Sequence, residues 1–149
     1  MPYMTMRKLC EYTDWDFKKS SDDRANGAEF ILAGQNGRLI CDGDDCAAAF
    51  AYTDARRAGQ TVRAAGAMAK RLREAMRDYP AADQLTVATL LNGSTFTQPT
   101  ADLDLSTGYV SGGFILTATM FDVRNFRDRV RQAVEADVPV IGGNDEAEG

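Results

Sequence analysis

Histidine is absent from this chain of 149 residues, and that absence excludes more than any residue present. No Ser-His-Asp triad, Cys-His pair, HExxH zinc site or His-ligated haem can be assembled from it. Cysteine is sparse at three. An odd number suits no closed disulfide framework, so reduced thiols in a cytoplasm are expected. No apolar run exceeds Cys46 to Tyr52, far short of the ~20 residues that cross a bilayer, and no membrane partner is expected. The start carries Arg7 and Lys8 but lacks the apolar stretch of a secretory signal. Phosphate-cradling motifs are missing as well: there is no G-x-x-x-x-G-K-[ST], and no G-x-G-x-x-G follows a strand.

What remains is the composition of a folded domain, with 44% apolar and 26% charged residues. One self-sufficient core over residues 1–141 is expected, followed by an acidic, Gly-rich tail at 142–149 that should fray. Residues 5 to 19 read as a short helix and Ser20 to Gly27 as a polar loop. Glu29 to Ala33 and Arg38 to Cys41 flank Asn36-Gly37, the dipeptide that supplies a two-residue hairpin turn. Asp42 to Asp45 reads as an acidic turn, and Ala47 to Tyr52 as a third strand or the start of a helix.

From about 54 to 79 the period becomes helical. Val62, Ala65, Ala69, Leu72, Met76 and Tyr79 fall on one stripe, with Leu72 at its centre and Pro80 as the stop. Gly59 and Gly66 weaken this helix by up to ~1 kcal/mol each relative to Ala. Leu85 to Leu91 reads as a strand turning at Asn92-Gly93, and residues 94 to 108 as an exposed loop. Tyr109 to Phe121 is a strand in which Leu116, Ala118 and Met120 alternate with Thr117 and Thr119, one face buried and one wetter. Asp122 opens a last helix over about 122–137. The fold expected is α+β: an antiparallel sheet of about four to five strands, with the long basic helix and the C-terminal helix packed on one face.

Charge is the most informative chemical feature. From Arg56 to Arg77 seven basic residues face one acidic residue, a local +6 in a chain of −5. Arg56, Arg63, Lys70 and Arg77 recur every seven residues and form a stripe, joined by Arg71 and Arg73. The last helix repeats the theme with Arg124, Arg127 and Arg131. Together these nine residues are the candidate surface for a protein partner or an anion, set against the plainer reading of a solvated helix face. Aromatics are not interleaved with them, which argues against base stacking.

The acidic turn Cys41-Asp42-Gly43-Asp44-Asp45-Cys46 lacks calcium-loop spacing, and three thiols without histidine complete neither common closed zinc site. Asp102-Leu103-Asp104 reads as charge that protects a strand edge. Trp15, with Tyr12 between acidic neighbours, is expected to pack on the domain's own core. No cofactor and no metal are expected. The function expected is a non-catalytic protein–protein interaction or assembly protein, a homo-oligomer or a binder of another protein. A virus or mobile element supplies such proteins as structural components or inhibitors, so a virion is the second location considered. The alternatives are a nucleic-acid binder using the basic faces of the two helices, and an enzyme using Asp, Glu, Lys or Cys.

Overall fold

The computed structural model describes residues 3–31, 40–110 and 112–137. It is an α+β fold with a four-stranded antiparallel sheet, order β4-β3-β6-β5, a small two-stranded sheet, β1-β2, and five helices. The strands are β1 (Met4–Thr5), β2 (Ile40–Cys41), β3 (Gln84–Leu90), β4 (Thr95–Pro99), β5 (Tyr109–Val110) and β6 (Gly113–Asp122). The helices are α1 (Met6–Thr13), α2 (Phe17–Ala25), α3 (Gly43–Arg57), α4 (Val62–Asp78) and α5 (Val123–Asp137). Among the described residues no helix is long and apolar enough to cross a membrane.

The N-terminal helix is two helices. The Thr5 hydroxyl caps α1 by accepting from the Lys8 N–H, and Asp14 stops it in a left-handed conformation with φ of 57°. Asp16 then caps α2, which runs through the polar segment expected as a loop. Its few apolar residues left no periodic trace, but Ser20 is buried and its hydroxyl donates to the Phe17 carbonyl at 2.7 Å. The Asn36-Gly37 turn lies outside the described residues. Of the two expected arms, Glu29–Ile31 forms no strand, and Ile40–Cys41 pairs with Met4–Thr5 instead.

The acidic turn is the start of a helix. Asp42 and Asp45 form a reciprocal capping box, each carboxylate accepting from the other's backbone N–H at 2.9 Å. Every residue of α3 from Cys46 to Thr53 is buried, which explains why the apolar run carried no period: a helix enclosed on all sides shows none. The helix expected over 54–79 is therefore divided. Residues 54–57 end α3, Gly59 turns the chain with φ of +96°, and Thr61 caps α4. The apolar stripe of α4 is as expected, with Ala65, Ala69, Leu72 and Met76 completely buried against α3.

The sheet joins this helical layer at one end. Leu85 and Phe121, opposite each other on β3 and β6, are buried, and the Arg124 N–H donates to the Asp83 carbonyl where β6 passes into α5. Residues 95–99, expected as loop, form the edge strand β4, paired with β3 from Leu85↔Pro99 to Thr89↔Thr95. Its Thr-rich sequence hid the strand because neither face is strongly apolar. On β6 the expected contrast between a buried and a wetter face is absent, since every residue from Leu116 to Met120 is exposed. Thr117 and Thr119 face the helical side, where they line a cleft with Met68 and Phe121, whereas Leu116 and Met120 on the other face are 61% and 57% exposed. The helices cover one face of the sheet and no described element covers the β6 half of the other.

Candidate interaction surfaces

The two surfaces to weigh are the basic helix faces and the uncovered part of the sheet. The folded chain divides the nine candidate cations into an inner and an outer group. Arg73 is buried and pairs through Nε with Asp45. Arg77 donates to Asp42 at 2.8 Å and lies 3.6 Å from Asp45. Arg127 donates to the Pro80 carbonyl at 2.8 Å and sits 3.9 Å from Asp44. The acidic N-terminus of α3 is thus neutralised by arginines of α4 and α5, carboxylates stabilised there by the helix dipole as well. Arg73 was expected at an anion-facing surface. It is not there, because its position on the helix, one step from Leu72, turns it into the core.

The outer group is smaller. Arg56 is exposed and donates to the Gln60 carbonyl at 2.7 Å, and Arg131 is held on its own helix by Asp128 and Glu135. Arg63, Lys70, Arg71 and Arg124 are exposed, and no ion pair joins them to another described residue. The stripe of four expected at seven-residue spacing is therefore reduced to Arg63 and Lys70, with Arg71 beside them. Sequence spacing missed Arg129, which chelates Asp54 at 2.6 and 3.1 Å and lies over the Phe50 ring at 4.4 Å. Nothing local marks a partner 75 positions away.

The other polar motifs have structural roles. Trp15 is buried, stacks on Phe30 at 5.7 Å between ring centroids, meets Tyr52 at a 45° tilt at 4.8 Å, and donates to Asp23. Asp104 accepts from the N–H and hydroxyl of Ser106, which hold its carboxyl below the usual range; it does not pair with Asp102. Cys10, Cys41 and Cys46 are free and buried. Burial pushes Cys41 and Cys46 up to about 12, so neither is a nucleophile near neutral pH. Among the described residues no group of three or more potential ligands is placed to hold a metal. The cleft between α4 and the sheet, about 270 Å³, is lined by Met68, Val87, Phe121 and threonines, with Arg71 as its charge. It holds no acid–base pair.

The sheet carries the apolar surface. Leu91, Leu105, Tyr109, Phe114, Leu116 and Met120 are all exposed large apolar residues of the sheet and its connections. Tyr109 and Phe114 meet edge to face at 5.1 Å. β5 pairs with β6 at Phe114 and Gly113, and Ile115 donates to the Gly108 carbonyl. Beyond that point, from Leu116 to Asp122, no described strand lies on the outer edge of β6. No protein-family model matches the chain, and no curated protein matches it.

Proposed function

We propose that this protein is a non-catalytic assembly protein, a subunit that associates with further copies of itself through the β6 side of its sheet. One observation carries the reading: β6 exposes Phe114, Leu116 and Met120, and beyond its pairing with β5 no described strand lies on its outer edge. Scattered surface leucines are ordinary, but large apolar side chains exposed along an edge strand are a feature of interfaces. The internal pairing of Arg73, Arg77 and Arg127 further supports a protein partner over nucleic acid, because it removes a third of the cations that a phosphate backbone would need. A virus or mobile element, where small self-assembling subunits are structural components, is the source this reading fits.

Sedimentation velocity on wild type and on a Leu116→Asp/Met120→Asp variant tests it, with far-UV circular dichroism to confirm that the variant folds. Wild type should be oligomeric at about 100 μM and the variant monomeric. A wild type that stays monomeric at that concentration overturns the proposal. Anisotropy titrations on duplex DNA and RNA form the second arm. Micromolar binding near 0.15 M salt (roughly physiological), lost in Arg63→Gln/Lys70→Gln/Arg71→Gln, would replace the proposal with the nucleic-acid reading.

A further inference from the structure

We infer that the cleft between α4 and the sheet is a binding site for a small organic monocarboxylate with an apolar body. The site is independent of self-assembly and adds a ligand to the proposed function.

The space arises from residue size. α4 buries Ala65, Ala69, Leu72 and Met76 against α3. Its adjoining face carries Ala64, Ala67, Met68 and Arg71, which stand at i, i+3, i+4 and i+7 and so share one side of the helix. Across from them lie Val87 and Thr89 of β3 with Thr117, Thr119 and Phe121 of β6, where Val87 faces Thr119 and Thr89 faces Thr117 in register. Two alanines above and threonines below are too short to close the gap, and about 270 Å³ remains. Pockets for drug-sized ligands begin at about 300 Å³, so the occupant is smaller than these.

The cleft has an apolar floor and a polar mouth. Val87 and Phe121 are each 8% exposed and Met68 is half-buried, a surface on which a hydrocarbon body sheds water. Thr117 and Thr119 are exposed, so the cleft opens to solvent on their side.

Charge selects the head group. Arg71 is the single charged residue lining the cleft, and no acidic residue or thiol lines it. The other arginines of α4 that turn toward α3 are neutralised there, Arg73 by Asp45 and Arg77 by Asp42. Arg71 faces the sheet, and no ion pair joins it to another described residue. One guanidinium matches one carboxylate in charge and in two-pronged geometry. A phosphate monoester carries about two charges at neutral pH and would leave one unbalanced. The hydroxyls of Thr117 and Thr119 and the Gln60 amide supply further donors to the carboxylate oxygens. With no acid–base group in the lining, the ligand is held and not converted.

Heteronuclear NMR titration with hexanoate tests the site, with acetate, hexanamide and hexyl phosphate as comparisons. Hexanoate should bind saturably with a Kd below about 1 mM and shift the amides of Met68, Val87 and Thr119. Acetate lacks the body and hexanamide lacks the charge, so each should bind about tenfold more weakly or worse. Hexyl phosphate should bind no more tightly than hexanoate. Arg71→Gln should weaken hexanoate binding about tenfold. Lys70→Gln, which removes an exposed neighbouring cation outside the cleft, should leave it unchanged. Ala67→Phe should fill the space and abolish binding, with circular dichroism confirming the fold; Thr119→Phe fills it from the sheet side if the first variant does not fold. No saturable hexanoate binding at about 10 mM overturns the site, and so does an equal loss in Lys70→Gln and Arg71→Gln. Hexanamide binding as tightly as hexanoate overturns the anion, and tighter binding of hexyl phosphate overturns the carboxylate.

Discussion

Replacing Gly66 with alanine in the middle of α4 separates two effects of opposite sign. Helix propensity alone favours alanine by about 0.5–1 kcal/mol. In the folded chain, however, a Cβ at Gly66 would fall on the Gly27 carbonyl oxygen and come within 2.6 Å of the Ala28 Cα. These are backbone atoms, so no rotamer change relieves the contact. The segment cannot retreat freely either: the Ala28 N–H donates to the Asp23 carbonyl at 2.9 Å, Ala28 is completely buried, and Phe30 beyond it is locked between Trp15 and Tyr52. Overpacking of this kind costs about 1–3 kcal/mol. Backbone against backbone belongs at the upper end, and after the helix gain the expected net loss is about 1–2 kcal/mol. Urea titration followed by circular dichroism measures it. Gly59→Ala is the comparison, since nothing lies within 4 Å of its Cβ and only its φ of +96° resists. A Gly66→Ala protein more stable than wild type by the full helix gain would refute the packing of α4 on residues 27–28.

Three further outcomes are expected. Leu72→Ala, at a completely buried site, should lower stability by about 2–5 kcal/mol in the same titration, and a loss under about 0.5 kcal/mol would show that the stripe faces water. Arg73→Ala should cost about 3–5 kcal/mol by leaving Asp45 buried without its partner, whereas Arg73→Met with Asp45→Leu should recover much of that loss; equal losses would refute a buried pair. Burial pushes the Asp44 carboxyl above its ordinary value, more than Arg127 pulls it down. A raised native pKa means that the native state binds more protons than the unfolded chain, so this group's contribution falls as pH rises. The stability of Asp44→Asn relative to wild type should therefore increase from about pH 4 to about pH 7, and a decrease would reverse the assignment.

The helical layer was legible where a stripe was one-sided. The period through Val62, Ala65, Ala69, Leu72 and Met76 located α4 and its buried face, and Asp122 marked the start of α5, where its carboxylate accepts from the Asn125 N–H. Two failures share one cause. α3 is buried on every side and α2 on almost none, so neither has the contrast that periodicity needs. The paired charges failed for a different reason. Seven-residue spacing identifies a stripe but not its surroundings, and Asp42, Asp44 and Asp45 are near Arg73, Arg77 and Arg127 only after α3, α4 and α5 have packed together.

The exposure of β6 on both faces from Leu116 to Met120 has another meaning. Alternation in a strand reports which side chains avoid water, and Leu116, Ala118 and Met120 alternate with threonines as cleanly as any buried strand. The fold buries Leu85 and Phe121, the pair at the helical end, then carries β6 out so that this alternation faces solvent. Local pattern and tertiary burial agree along α4 and disagree here. Natural sequences are consistent across levels except where function requires otherwise. Under the proposed self-assembly, a second copy would supply the surface that this pattern lacks in the single chain. The mismatch between the pattern and the burial of the described residues is the observation that the proposal is meant to explain.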